Sequence, residues 1–278
     1  MTDSAGFTVR RVLVALDAST RDSGGIDPAA LLAARLGAEL AGLFIEDVNV
    51  SRLARLPAAR HVQPGTGRLI HVDESTFRRE LDSLVERLRA RLASASDTAG
   101  VRWSYQIERS PVRAALLRAA EEADLLVIEV ATLALERGLP REAERAAHAC
   151  PRSLFLVQRG APLDAITLVY GLTPARARTL EAARRLSRAG TPRLRVLIHG
   201  RTPDELRAAE ADLRAQIDVS EPWLSMIPVE LTTLEQLARA LQGLDAGTLV
   251  IGADDSLLCG SGPRRLFEAA PGNVLLVR

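Results

Sequence analysis

Two groups of residues in this chain could meet a ligand, and they stand in different halves. Near the start an apolar run ends in an acid, Val12-Leu13-Val14-Ala15-Leu16-Asp17-Ala18-Ser19. Near the end Gly252 follows one apolar run, and Gly260-Ser261-Gly262-Pro263 opens a helical stretch with Arg264 and Arg265 next. Glycine lets an anion's oxygens approach backbone N–H groups, and a helix N-terminus favours negative charge, so the second group could cradle an anion. Each group also has a plainer reading. Asp17 could cap its own turn, paired with an arginine, and glycine or serine before proline is an ordinary helix start.

The matching positions of the other half carry different chemistry. Ile166-Thr167-Leu168-Val169-Tyr170-Gly171-Leu172-Thr173 repeats the first run with glycine in place of the acid. Glu129 and Pro140-Arg141 stand where the first half would match Gly252 and Gly260-Ser261. Glu129 reads as a carboxylate directed outward at the end of its strand. The four histidines, His61, His71, His148 and His199, show no metal-ligand spacing, and surface or helix-packing roles are expected of them. Cys150 and Cys259 form no CxxC pair and read as small buried residues. No Walker A motif, nucleophile elbow or Gly-x-Gly-x-x-Gly fingerprint occurs.

Such positions need strands to hold them, and the composition supplies these. Hydrophobic residues make up 47% of the 278 but aromatics only 3%, so the core must be aliphatic. That suits helices packed on buried parallel strands. Lys+Arg is 36 against Asp+Glu 35, a balanced surface with no basic field for nucleic acid or anionic lipid. Met1 to Thr8 lacks a basic and apolar leader pattern, and the apolar runs fall short of the ~20 residues of a membrane span. A reducing cytoplasm is the expected location.

Short apolar runs alternate with amphipathic ones, as in a parallel α/β sheet. Strands are predicted over Val12–Leu16, Leu40–Ile45, Val101–Glu108, Leu125–Val130 and Leu154–Val157. Helices are predicted between them, from Asp27-Pro28 to Leu36, over Glu74 to Ala95, from Ser110-Pro111 to Glu122, and over Arg141–Ala149. After a seam at Gly160-Ala161-Pro162 the order repeats. Strands fall at Ile166–Val169, Leu194–Ile198, Leu224–Val229 (interrupted by Pro228), Thr248–Ile251 and Val274–Val277. Helices open at Thr173-Pro174, Thr202-Pro203, Leu231 and Pro263. The two copies match best at their ends: Asp124–Ile128 with Gly247–Ile251, and Ser153–Val157 with Asn273–Val277. Trp103 and Trp223 sit at corresponding points, where sheet packing accounts for them. The first copy is longer through residues 46–75, where a short helix over Val50–Leu56 precedes turn residues.

This pattern resembles the universal stress protein family in its tandem two-domain form. The resemblance rests on Val14-Ala15-Leu16-Asp17-Ala18-Ser19, on Glu39-Leu40-Ala41-Gly42-Leu43-Phe44-Ile45, on Ser110-Pro111, and on the endings of both halves. It implies two five-stranded parallel sheets in the order 3-2-1-4-5, of the adenine-nucleotide α/β type, spanning residues 1–160 and 161–278. It also implies that the last strands of the halves pair antiparallel in an intramolecular pseudo-dimer. In nucleotide-binding members an acid after strand 1 meets the adenine, the end of strand 2 lines the base pocket, and glycines after strand 4 with a later Gly-Ser hold ribose and phosphates. Carried over, the cofactor-binding candidates are Asp17, Ile45, Gly252, Gly260 and Ser261, with Gly171, Glu129, Asp255 and Pro140-Arg141 as departures. Neither half carries a complete site.

The expectation is therefore a cytoplasmic stress-response or regulatory protein without a catalytic cycle, its family-type ATP binding weakened or lost. The alternative is a nucleotide sensor or weak ATPase holding ATP or AMP near Asp17. Expected partners are the two halves themselves, other proteins or further copies of the chain, with neither nucleic acid nor membrane.

Overall fold

The structure is a computed structural model that describes residues 6–18, 25–54, 60–62, 69–71, 73–129, 151–188, 194–217, 223–245, 247–258 and 263–278. In the first half β1 (Arg11–Asp17), α1 (Ile26–Leu36), β2 (Glu39–Glu46), α2 (Val48–Ala54), β3 (Arg60–Val62), β4 (Leu69–His71), α3 (Glu74–Ala99), β5 (Trp103–Arg109), α4 (Val112–Glu122), β6 (Leu125–Glu129) and β7 (Ser153–Val157) follow in order. The second half runs β8 (Ile166–Tyr170), α5 (Arg176–Arg188), β9 (Leu194–Gly200), α6 (Pro203–Gln216), β10 (Leu224–Glu230), α7 (Leu234–Leu241), β11 (Thr248–Gly252), α8 (Pro263–Ala269) and β12 (Asn273–Val277). The helix expected over Arg141–Ala149 lies outside the described residues.

The strands form one ten-stranded sheet, ordered β10-β9-β8-β11-β12-β7-β6-β1-β2-β5. Within each half all neighbours are parallel, in the 3-2-1-4-5 order that the family resemblance implies. At the centre β12 and β7 pair antiparallel, with Leu275 opposite Phe155. Alternate strand residues feed two cores on opposite faces. Val12, Val14 and Leu16 join α1 and α3 on one face, while Leu13 and Ala15 join α4 on the other. Both faces are covered, which is why these strands read as continuous aliphatic runs.

Helix starts shift from their predicted places where tertiary contacts intervene. α1 begins at Ile26, before the predicted Asp27-Pro28 start, because Ile26 is drawn into the core. Asp27 then sits in the first turn, where the helix dipole favours an acid, and pairs with Arg91. α3 runs on to Ala99 and stops at Gly100, whose φ of 67° is the left-handed cap that glycine adopts without strain. α7 begins at Leu234 rather than Leu231, fixed by a reciprocal Thr233–Gln236 capping box. In the first-half insertion the helix spans Val48–Ala54, earlier than predicted, with Asp47 Oδ1 accepting from the Asn49 N–H at 2.9 Å. A hairpin of β3 and β4 follows, which the sequence did not announce. Three-residue strands are too short to show a period of two.

The two outer strands, β5 and β10, are the least buried. Trp223 packs against the core, but Trp103 is 36% exposed on β5, so sheet packing accounts for only one of the pair, and the registers make Leu224 rather than Trp223 the counterpart of Trp103. No helix among the described residues is long and apolar enough to cross a membrane.

Candidate functional site

In each half the C-terminal ends of strands 1, 2 and 4 converge at the point where strand order reverses. Open α/β sheets bind ligands there. In the first half Asp17 ends β1, half-buried, directly opposite Ile45 on β2. Ile45 is buried. The two first-half candidates are therefore neighbours, as a base pocket would need.

Glu129 ends β6 at the same edge, but it does not point outward as expected. It is 3% exposed and lies against the start of α1, its Cβ 3.3 Å from where a Cβ on Gly25 would stand. Arg159, beyond the end of β7, comes within 3.6 Å of its carboxylate. The positive end of α1 and this guanidinium give a carboxylate reason to turn inward. Glu129 thus holds the anion-favouring helix start of the first half. Pro140-Arg141 lies outside the described residues.

In the second half the β8–β9 register pairs Tyr170 with Ile198, so the next step sets Gly171 opposite His199. Gly171 corresponds to Asp17 and His199 to Ile45. The imidazole lies over Gly171: a Cβ there would stand 2.5 Å from His199 Nε2. That nitrogen is 2.9 Å from Asp255 Oδ2, and the two residues are only 4% and 2% exposed. Asp255 Oδ1 also accepts from the Leu257 N–H at 3.0 Å, which fixes the carboxylate on the loop after β11. The surface or helix-packing role expected of His199 is therefore wrong. It is a buried, hydrogen-bonded ring filling the space an acid at position 171 would use. A polar residue ending the apolar run Leu194–Ile198, opposite an unexplained glycine, was the signal that could have found it.

Gly252 has a definite reason to be glycine. A Cβ there would meet Asp254 Oδ1 at 2.7 Å. The same carboxylate accepts from the Ala175 N–H at 2.9 Å through Oδ2, capping the start of α5. A carboxylate from the end of strand 4 or the loop after it thus lies at the start of the first helix in both halves, Glu129 beside α1 and Asp254 capping α5. Gly260 and Ser261 lie outside the described residues.

A cleft of about 380 Å³ remains in front of the His199–Asp255 pair, lined by Thr173, Arg201, Glu205, Asp254 and Ser256 among others. Arg201 is held by Glu205, with Nη2 to Oε1 at 3.3 Å. A larger cleft of about 760 Å³ lies along α5 and the C-terminal residue, where Arg178, Arg184 and Arg278 gather. Behind the second-half site Tyr170 donates to Asp212, which also takes Arg176 Nε at 3.0 Å and Gln216 Nε2 at 2.8 Å. Burial, followed by the Asp212 hydrogen bond, pushes the Tyr170 hydroxyl above its ordinary range. Burial works to raise Asp212, but the bonds from Tyr170, Arg176 and Gln216 outweigh it and hold the carboxyl below its ordinary range.

No protein-family model and no curated protein matches the chain. Solved structures do. A universal stress protein from Archaeoglobus fulgidus DSM 4304 matches with a TM-score of 0.66 at 14% identity, covering 98% of this chain and 97% of that one. This is the universal stress protein fold, in tandem. A second structure with that fold, a putative universal stress protein from Pseudomonas aeruginosa UCBPP-PA14, matches with a TM-score of 0.61 at 17% identity over 97% and 93% of the two chains. The cytoplasmic domain of a prokaryotic cation chloride cotransporter matches with a TM-score of 0.55 at 14% identity over 96% and 94%. The tandem universal stress fold therefore stands over the whole length, with its strand-end positions occupied by Asp17, Ile45 and Glu129 in one half and by Gly171, His199 and Gly252 in the other.

Proposed function

We propose that the protein is a cytoplasmic stress-response or regulatory module of the universal stress type, without a catalytic cycle. Its two units, residues 1–160 and 161–278, act as scaffold halves whose nucleotide positions are closed by the protein's own side chains. The observation that carries this reading is the His199 ring lying over Gly171 and held by Asp255. A buried pair so placed leaves no room for the acid that meets adenine in nucleotide-binding relatives. Glu129 supports the same reading in the first half, because a carboxylate at the start of α1 repels a phosphate from the position that would favour it.

A second reading is a nucleotide sensor or weak ATPase using the first half. It is favoured by Asp17 and Ile45 standing side by side at the sheet's C-terminal edge. Gly252, Gly260 and Ser261 would then be remnants of the second site.

Thermal shift and calorimetry with ATP, ADP and AMP separate the readings. The scaffold reading expects no rise in melting temperature, whereas a ligand at ~100 times its Kd would add ~2.7 kcal/mol. Nucleotide binding that is tight and lost in Asp17→Ala would establish the sensor and overturn the scaffold.

A further inference from the structure

The two end strands of the sheet, β10 and β5, which no further strand flanks among the described residues, are built differently. In β10 the Leu194 N–H donates to the Trp223 carbonyl, so odd-numbered residues there face β9 and even-numbered ones face outward. Pro228 therefore sits at an outward position, where its missing N–H costs the sheet nothing and blunts the edge. In β5 the Leu40 N–H donates to the Arg102 carbonyl and the Ser110 N–H to the Glu46 carbonyl, so even-numbered residues face β2. The backbone groups of Trp103, Tyr105, Ile107 and Arg109 face outward. Following the registers across both halves, Ile107 is the counterpart of Pro228. One half has closed its edge at this position, and the other presents an isoleucine that is 53% exposed.

We propose that β5 is a homodimerisation edge, at which two copies of the chain pair antiparallel about a two-fold axis through Tyr105. Outward-facing residues must oppose one another for a hydrogen-bonded antiparallel pair, which restricts the axis to a residue position rather than a peptide between two. The axis at Tyr105 sets Trp103, the other exposed apolar side chain of this strand, opposite Ile107 of the second copy. It sets exposed Arg102 opposite half-buried Glu108 of the second copy, whose carboxylate also holds Arg118 of its own chain, and Ser104 opposite Gln106. Each pairing occurs twice by symmetry. Apolar and opposite-charge cross-strand pairs are the combinations that stabilise a ladder. An axis at Gln106 would instead set Trp103 against Arg109 and Arg102 against Ser110, losing both matches. The pairing doubles the sheet and buries the two exposed apolar residues of an edge that no strand covers among the described residues. It is an isologous contact that closes on itself.

Sedimentation velocity on the full chain over a concentration series tests this. The wild type should pass from monomer to dimer. Ile107→Pro copies the other edge, removes an outward donor and keeps the β2 bonds, so it should be monomeric with unchanged circular dichroism. Arg102→Glu and Glu108→Arg should each be monomeric alone, because like charges then face each other twice. Mixed in equal amounts, these two variants should form a heterodimer, since every facing pair becomes opposite in sign. A wild type that stays monomeric throughout overturns the proposal. So does a dimer that survives Ile107→Pro, or a mixture of the charge variants that stays monomeric.

Discussion

His199 Nε2 lies 2.9 Å from Asp255 Oδ2, and the ring sits over Gly171 where the first half carries Asp17. The second half has moved its polar chemistry from strand 1 to strand 2 and the loop after strand 4. The exchange has a steric signature. An acid at position 171 and a histidine at position 199 cannot occupy the same space, so either position 171 stays glycine or the ring must go.

That exclusion can be measured. Gly171→Ala should destabilise the protein by about 1–3 kcal/mol, the usual cost of overpacking a filled site. The backbone offers no other objection, because position 171 is not in the left-handed region. His199→Ala should also destabilise, since it leaves a cavity and strips Asp255 of its buried hydrogen-bond partner, at about 1–3 kcal/mol for the unsatisfied group with the cavity cost added. The double variant should cost less than the sum of the singles. Urea unfolding of all four proteins gives the coupling, and strict additivity would show that the ring does not lie over the glycine.

Gly252 and Asp254 make a second such pair. Asp254→Ala removes the carboxylate from the Ala175 N–H and should cost about 0.5–2 kcal/mol, as lost helix caps do. Gly252→Ala should cost a similar amount by a different route. Its Cβ would meet Asp254 Oδ1 at 2.7 Å and push the cap aside. Once Asp254 is truncated, the extra methyl should be nearly neutral. Unfolding midpoints that add independently would mean Gly252 is glycine for some other reason.

The sequence carried the architecture because the architecture is local. After their polar first residues, Ser153–Val157 and Asn273–Val277 are wholly apolar, as strands buried on both faces tend to be. The positions of Asp17 and Ile45 were also legible, since Asp17 ends β1 and Ile45 stands one residue before the end of β2. The His199–Asp255 contact was not, because 56 residues separate the partners and only the folded sheet brings them together. Glu129 shows the same limit from another side. Its position at a strand end was plain, but whether it turned in or out depended on α1 and Arg159. The β3–β4 hairpin failed for lack of length, as each strand has only three residues.

The join between the halves rests on Asn273, which is fully buried at the start of β12. Its Oδ1 accepts from the Gln158 N–H at 3.0 Å, and its Nδ2 donates to the Pro162 carbonyl at 3.1 Å. The side chain therefore ties both ends of the 158–162 connection to the last strand. Asn273→Ala would leave these linker groups unpaired, at about 1–3 kcal/mol for a buried polar group. Asn273→Asp keeps the acceptor but loses the donor, so it should lie no higher in stability than the wild type. Calorimetry should also show whether one transition splits into two, as it would if the connection holds the halves in register. An Asn273→Ala protein as stable as the wild type would remove the residue from this role.

Tyr170 and Asp212 should bound the stability from both sides of the pH scale. Asp212 titrates below its unfolded value, so the fold binds fewer protons at this site than the unfolded chain does. Its stabilisation is complete above the unfolded pKa of about 4 and is lost as pH falls further. Tyr170 titrates above its unfolded value, chiefly through burial, so its contribution is complete below about pH 10 and is lost as pH rises beyond that. Asp212→Asn should lower stability at neutral pH and flatten the acid limb of a plot of urea midpoint against pH. Tyr170→Phe should flatten part of the alkaline limb only, because burial also raises Tyr105, helped by the nearby Glu86 charge. An acid limb unchanged in Asp212→Asn would mean that the hydrogen bonds from Tyr170, Arg176 and Gln216 do not favour its ionised form in solution.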